Sequence, residues 1–156
     1  MPIYTDPADN LIAQITNAGR SLCVRAPIEG LAFQFYGWAL GRGGYDPTNP
    51  VHVLPINSAD TALIDQVYPA VSNYNLFALT DFENPTTRTV SCACRIFLGN
   101  ILANYGIGEI GIWVKILNSP VNPLENGTLV LFSITHTPIQ TITPNSARVY
   151  RIIHNF

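Results

Sequence analysis

The sequence predicts a mainly β domain of the α+β kind: an antiparallel β-sandwich-like fold with one N-terminal helix. Three observations lead there. Apolar and polar residues alternate over 87–98, 109–117, 128–136 and 147–154, which is the period of strands. Turn formers separate those runs, among them Asn118-Ser119-Pro120, Asn126-Gly127, Pro138 and Pro144. Near the start the period changes, and Leu11, Ile12, Ile15, Ala18 and Leu22 recur at helical spacing. The chain has 156 residues, long enough for one real core, with no internal repeat and no long linker. It therefore reads as a single domain over 1–156.

Residues 1–8, with Pro2 and Pro7, read as an extended arm. A helix is expected over 9–25, capped by Asp9 or Asn10 and stopped by Pro27, with Gly19 on a tightly packed face. From residue 31 onward the chain is expected to be mainly β. Phe33, Phe35, Gly37 and Ala39 alternate with Gln34, Tyr36, Trp38 and Leu40, so this strand should be covered on both sides. Gly41-Arg42-Gly43-Gly44 breaks it, and Val51 and Val53 form a short extended piece. Ser58-Ala59-Asp60 is expected to cap a short helix reaching Gln66. Tyr68, Tyr74, Phe77 and Phe82 supply aromatic surface in the stretch that follows.

The C-terminal half carries clearer strands. Val90, Cys92, Cys94, Ile96 and Leu98 form one core face, and Ile110, Ile112, Val114 and Ile116 another. Leu129 to Thr135 is apolar on both faces and is placed centrally. Pro138 and Pro144 bracket a break before a closing strand from Ala147. On 109–117, Glu109, Gly111, Trp113 and Lys115 share the second face. That face is expected to pack on the N-terminal helix or on a neighbouring subunit. Glu109, an acid among core residues, is expected to be hydrogen-bonded or paired with an arginine, fixing the turn.

Composition narrows the function. Charged residues are 12% of the chain, against roughly 25% in an average domain, and the net charge is −2. A surface so poor in charge suits burial against neighbouring proteins. The eight basic residues are scattered, so no stripe tracks a phosphate backbone and no nucleic-acid partner is expected. No apolar run reaches the roughly 18 residues of a membrane helix, and the first ten residues carry two acids rather than a signal pattern. No membrane partner and no targeting segment are expected.

Cys23, Cys92 and Cys94 fit no disulfide framework. Cys92 and Cys94 lie two apart on one strand without a second pair of ligands, so a core role is expected, with no metal and no cofactor. Asp81 and Glu83 read as a solvated turn, and His154 has no visible partner. No nucleophile, base and orienting group form a recognisable set, so the chain is not read as an enzyme.

Three motifs point further: Thr16-Asn17-Ala18-Gly19, Ala39-Leu40-Gly41-Arg42-Gly43-Gly44 and Gly108-Glu109-Ile110-Gly111-Ile112. In that order and spacing they resemble the phage tail-collar fibre family. The resemblance implies a structural virion protein of a tailed bacteriophage, in the baseplate, neck-collar or fibre-attachment region. It would be made in the host bacterial cytoplasm and would act by assembly with copies of itself and other tail proteins. The sequence stops at Phe156 without a fibrous shaft, so an adaptor or wedge-like component is expected rather than a whole fibre. Tyr36, Trp38, Arg42, Tyr45, Tyr74, Phe77 and Trp113 are the interface candidates. A carbohydrate- or receptor-binding β-sandwich is the alternative, with the aromatics as stacking platforms.

Overall fold

The computed structural model describes residues 9–68, 75–76, 79–84, 89–96, 105–142 and 148–155. The chain opens with two short strands, β1 (Asp9–Ile12) and β2 (Gln14–Ile15), and then a helix, α1 (Asn17–Glu29). Strands β3 (Ala32–Gly41), β4 (Tyr45–Asp46), β5 (Asn49–Val53), β6 (Gln66–Tyr68), β7 (Asn75–Leu76) and β8 (Leu79–Asn84) follow. The last four are β9 (Thr89–Ile96), β10 (Tyr105–Asn118), β11 (Leu129–Ile142) and β12 (Arg148–Asn155), with a 3-10 turn at Pro123–Glu125. The mainly β fold with an N-terminal helix stands.

Two sheets form the body. One runs β1-β12-β9-β8; the other runs β2-β11-β10-β3-β6, with β7 also on β3. The four strands expected from alternation are therefore split, β9 and β12 in one sheet and β10 and β11 in the other. Most pairs are antiparallel, but β1 lies parallel to β12. Ile152 and Leu11 of the smaller sheet pack on Trp38, Leu40, Ile107, Ile110 and Ile112 of the larger. Farther along the same inner face, Leu22 of α1 packs on Val114, Ile116 and Phe132.

Several elements differ from expectation. The helix begins at Asn17, not at 9, because Thr16 is its N-cap and accepts from the Gly19 N–H at 3.0 Å. The preceding Leu11, Ile12 and Ile15 belong to β1 and β2, where sheet pairing overrides their helical spacing. Nor does Pro27 end the helix. A proline there removes only the bond its own N–H would give to Cys23, and the helix runs on to Gly30, whose left-handed φ of 71° forms the stop. Segment 57–65 is not helical. The Asn57 side chain takes the Ala59 N–H, and Glu109 takes those of Ile64 and Asp65, so a helix loses its donors. Pro138 lies inside β11 rather than at a break. The expected arm at 1–8 lies outside the described residues.

Two bulges set which side chains face inward. Between β3 and β10, Gly37 is opposite Trp113 and Phe35 opposite Val114, leaving Tyr36 as the extra residue. The phase shifts by one there, so Trp38 and Leu40 join Phe33 and Phe35 in the inner clusters instead of opposing them. Between β10 and β11, Ser133 is opposite Ile112 and Leu131 opposite Trp113, leaving Phe132 as the extra residue. Phe132 and Ser133 both reach His154 of the smaller sheet.

Candidate functional site: three motifs gathered on β10 and β11

The glycine turn after β3 folds back across the start of β10. There Glu109 is completely buried, yet it faces no cation among the described residues. Its carboxylate accepts backbone N–H groups instead: Gly43 at 3.3 Å and Asp65 at 2.8 Å on Oε1, and Ile64 at 3.1 Å on Oε2. Hydrogen bonds to a charged acceptor are the strong kind, and together they hold two loops against one strand. A Cβ at Gly41 or Gly43 would come within 3.0 Å of Oε1, so both positions leave room for this carboxylate. Gly44, with φ 89°, turns the chain where a side chain would strike the Gly108 carbonyl and the His136 ring. His136 Nδ1 sits 2.9 Å from the Leu54 carbonyl, tying the same loop to β11. The expectation of a hydrogen-bonded Glu109 that fixes the turn is met, by amides rather than by an arginine.

The Thr16–Gly19 motif docks on the neighbouring strand β11. Besides capping α1, the Thr16 hydroxyl donates to the Leu131 carbonyl at 2.6 Å, and the Thr16 N–H donates to Phe132 at 2.9 Å. Gly19 lies so close to β11 that a Cβ would meet the Phe132 carbonyl oxygen at 2.5 Å. Of the three sequence motifs, far apart in the chain, one lies in β10, one folds against it and one docks on the adjoining β11.

The interface candidates divide. Trp38 is 2% exposed and belongs to the core between the sheets, which corrects its placement at an interface. Trp113 is corrected likewise: at 4% exposure it packs with Ala39, Leu131 and Ile134 under Leu63 and Ile56 of the 54–65 segment. The space left by Gly111 is taken by the Trp113 ring itself, which a Cβ at that position would meet at 2.5 Å. Tyr36 is half-buried with the Lys115 ammonium 5.3 Å from its ring centre. Tyr45 is half-buried against Gly108. Arg42 is exposed and pairs with Asp65 at 3.1 Å. Tyr74 and Phe77 lie outside the described residues.

Two polar arrangements are not legible in the sequence. Ser133 Oγ and His154 Nε2 are 2.7 Å apart and completely buried, with the His154 ring tilted against Phe35 and edge-on to Phe132. A serine beside a histidine is half of a hydrolytic site, but neither residue lines the clefts described for this chain. The pair joins the two sheets as a satisfied polar contact. At the other end, Arg25 forks onto Glu125 at 3.1 and 2.6 Å and also reaches Glu29 at 2.9 Å. The Arg25 fork, helped by the Ser119 hydroxyl, holds the Glu125 carboxyl below its ordinary value. The Thr48 hydroxyl and N–H do the same for Asp46 in its turn. Burial pushes the Cys23 thiol up, which makes it a poor nucleophile.

No group of three or more metal-ligating side chains occurs among the described residues. Cys92 and Cys94 stand opposite Ile152 and Tyr150 in the β9–β12 ladder. No helix among the described residues is long and apolar enough to cross a membrane. Comparison with family models, with curated proteins and with solved structures returns no match.

Proposed function

We propose that this chain is a structural component of a bacteriophage tail, acting by protein–protein assembly in the baseplate, collar or fibre-attachment region. The supporting observation is the convergence of the three motifs that resemble the tail-collar fibre family. Gly108 to Gly111 lies in β10, Gly41 to Gly44 folds against it, and Thr16 to Gly19 docks on the adjoining β11. Residues that serve one packing unit have a reason to occur together and in order, which accidental glycine turns lack. The low charge and the exposed Val51, Ile64, Val121 and Leu124 suit a chain covered by neighbours.

The carbohydrate-binding alternative is weakened, since Trp38 and Trp113 are core residues and offer no stacking platform. Mass spectrometry of purified phage tails, made with and without the gene for this chain, tests the proposal. Its stoichiometric presence, with tails failing to complete without it, is the expected result. Its absence from the particle overturns the assignment.

A further inference from the structure

The tip of the β10–β11 hairpin holds a reactive pair of residues. Of all the asparagines in the sequence, only Asn126 precedes a glycine. Glu125 to Thr128 form a type II turn. Asn126 has φ −57° and ψ 128°, Gly127 has φ 83°, and the Thr128 N–H donates to the Glu125 carbonyl at 3.0 Å. The turn therefore favours glycine at 127, and a Cβ added there would meet nothing within 4 Å. An asparagine followed by so small a residue can react with its own backbone. A base removes the Gly127 amide proton, and the nitrogen bonds to Cγ of Asn126. The Cγ–Nδ2 bond breaks and ammonia leaves. Water then opens the succinimide ring to give aspartate or isoaspartate.

The folded tip keeps the two reacting groups apart. The Gly127 N–H donates to the Ile116 carbonyl at 2.7 Å, and Asn126 Oδ1 accepts the Ser119 N–H at 2.7 Å. Ring closure needs the Gly127 nitrogen nearly eclipsed with Cβ of Asn126, and a ψ of 128° turns it well away. Glu125 fastens this turn from both ends. Its carboxylate takes the Arg25 fork and the Ser119 hydroxyl, and its carbonyl takes the Thr128 hydroxyl at 2.7 Å as well as the Thr128 N–H. We propose that Asn126 is a deamidation site gated by the Arg25–Glu125 fork. Reaction proceeds only from an opened tip, and the ion pair between α1 and the turn sets how often the tip opens. Isoaspartate routes the backbone through the former side chain and lengthens it by an atom. The Gly127 and Thr128 N–H groups then cannot both regain their partners, so that product marks chains whose tip has opened. The site needs no partner and stands apart from the assembly reading.

The test incubates the full chain at mildly alkaline pH and follows asparagine, aspartate and isoaspartate at position 126 by peptide mapping and mass spectrometry. The folded wild type should react about tenfold more slowly, or slower still, than the same chain unfolded in urea. R25A should raise the folded rate about fivefold, the shift in opening that loss of a partly exposed ion pair produces. High salt should bring the wild type toward R25A and leave R25A itself unchanged. Hydrogen exchange at Gly127 and Thr128 should quicken by a matching factor, which ties the chemistry to opening of the tip. Melting curves establish that the variant is folded. Should R25A not fold, R25K, which keeps the charge but loses the two-pronged contact, takes its place with a smaller acceleration. A folded wild type that reacts as fast as the unfolded chain overturns the gate, as does a folded variant no faster than the wild type. Products that gather at another asparagine in place of Asn126 overturn the site.

Discussion

Glu109 and Glu125 both hold a loop in place, and they do it by opposite means. Glu109 is fully buried and is met by three backbone N–H groups from two loops. Glu125 has 28% of its side chain exposed and is met by the charged fork of Arg25 on α1. The first arrangement exists only after β3, β10 and segment 43–65 have come together, and no side-chain cation among the described residues compensates the carboxylate. The second also spans the chain, from α1 to residue 125, but it lies at the surface between a helix end and a tight turn and is screened by water and salt. The buried carboxylate should therefore be coupled to the whole fold, whereas the exposed one should respond to solution conditions.

The largest expected effect tests the apolar half of the Glu109 region. Trp113 lies under Ile56 and Leu63, so Trp113→Ala should cost about 3–5 kcal/mol in denaturant unfolding and loosen the loop that Glu109 clamps. A change within roughly 0.5 kcal/mol would mean that this face is open rather than covered. Next comes Glu109→Ala, which strands three amides. It should cost about 3 kcal/mol and speed hydrogen exchange at Gly43, Ile64 and Asp65, while amides of 119–126 keep their protection. Equal loss of protection at both ends would erase the distinction between the two acids.

A smaller effect is expected at the Thr16–Gly19 motif. Thr16→Ala removes a helix cap and the hydroxyl that satisfies Leu131, and should lower stability by about 1–2 kcal/mol, seen as a lower melting temperature. Thr16→Ser should restore most of it, since the hydroxyl rather than the methyl carries the bonds.

The smallest effect sharpens the contrast through pH and salt. The folded Glu125 carboxyl lies below its ordinary value of 4.5, so its contribution is present above that value and fades as pH falls through the folded one. Glu125→Gln should therefore be less stable than the wild type at neutral pH, and the gap should close in acid and in high salt. Denaturant melts at two pH values and two salt concentrations check this. A gap that persists in acid would show that the Arg25 fork is not its source.

Most strands are legible in the sequence, because alternation is a local signal and survives into the fold. β9, β10, β11 and β12 all overlap the four alternating runs. Glu109 stands out by a general rule, that an acid among core residues must be paired. The departures share a cause. Thr16 is not legible as the cap, since Leu11, Ile12 and Ile15 mimic a helix until β11 and β12 claim the backbone around them. Trp38 and Trp113 read as interface candidates because the residues that cover them, such as Ile152 over Trp38 and Ile56 and Leu63 over Trp113, come from other parts of the chain.

By itself the sequence determined the class of the fold, the run of strands, the poverty of charge and the three motifs, since each depends on residues near one another. Tertiary structure alone decided the phase of those strands. The extra residues at Tyr36 and Phe132 arise where β3, β10 and β11 must match in length and twist, and a one-residue shift exchanges the faces of everything beyond it. That shift sends Trp38 into the core and brings Ser133 to His154. The long-range partners of Glu109 follow the same rule: they lie 44 to 66 residues away, and only packing brings their amides to one carboxylate.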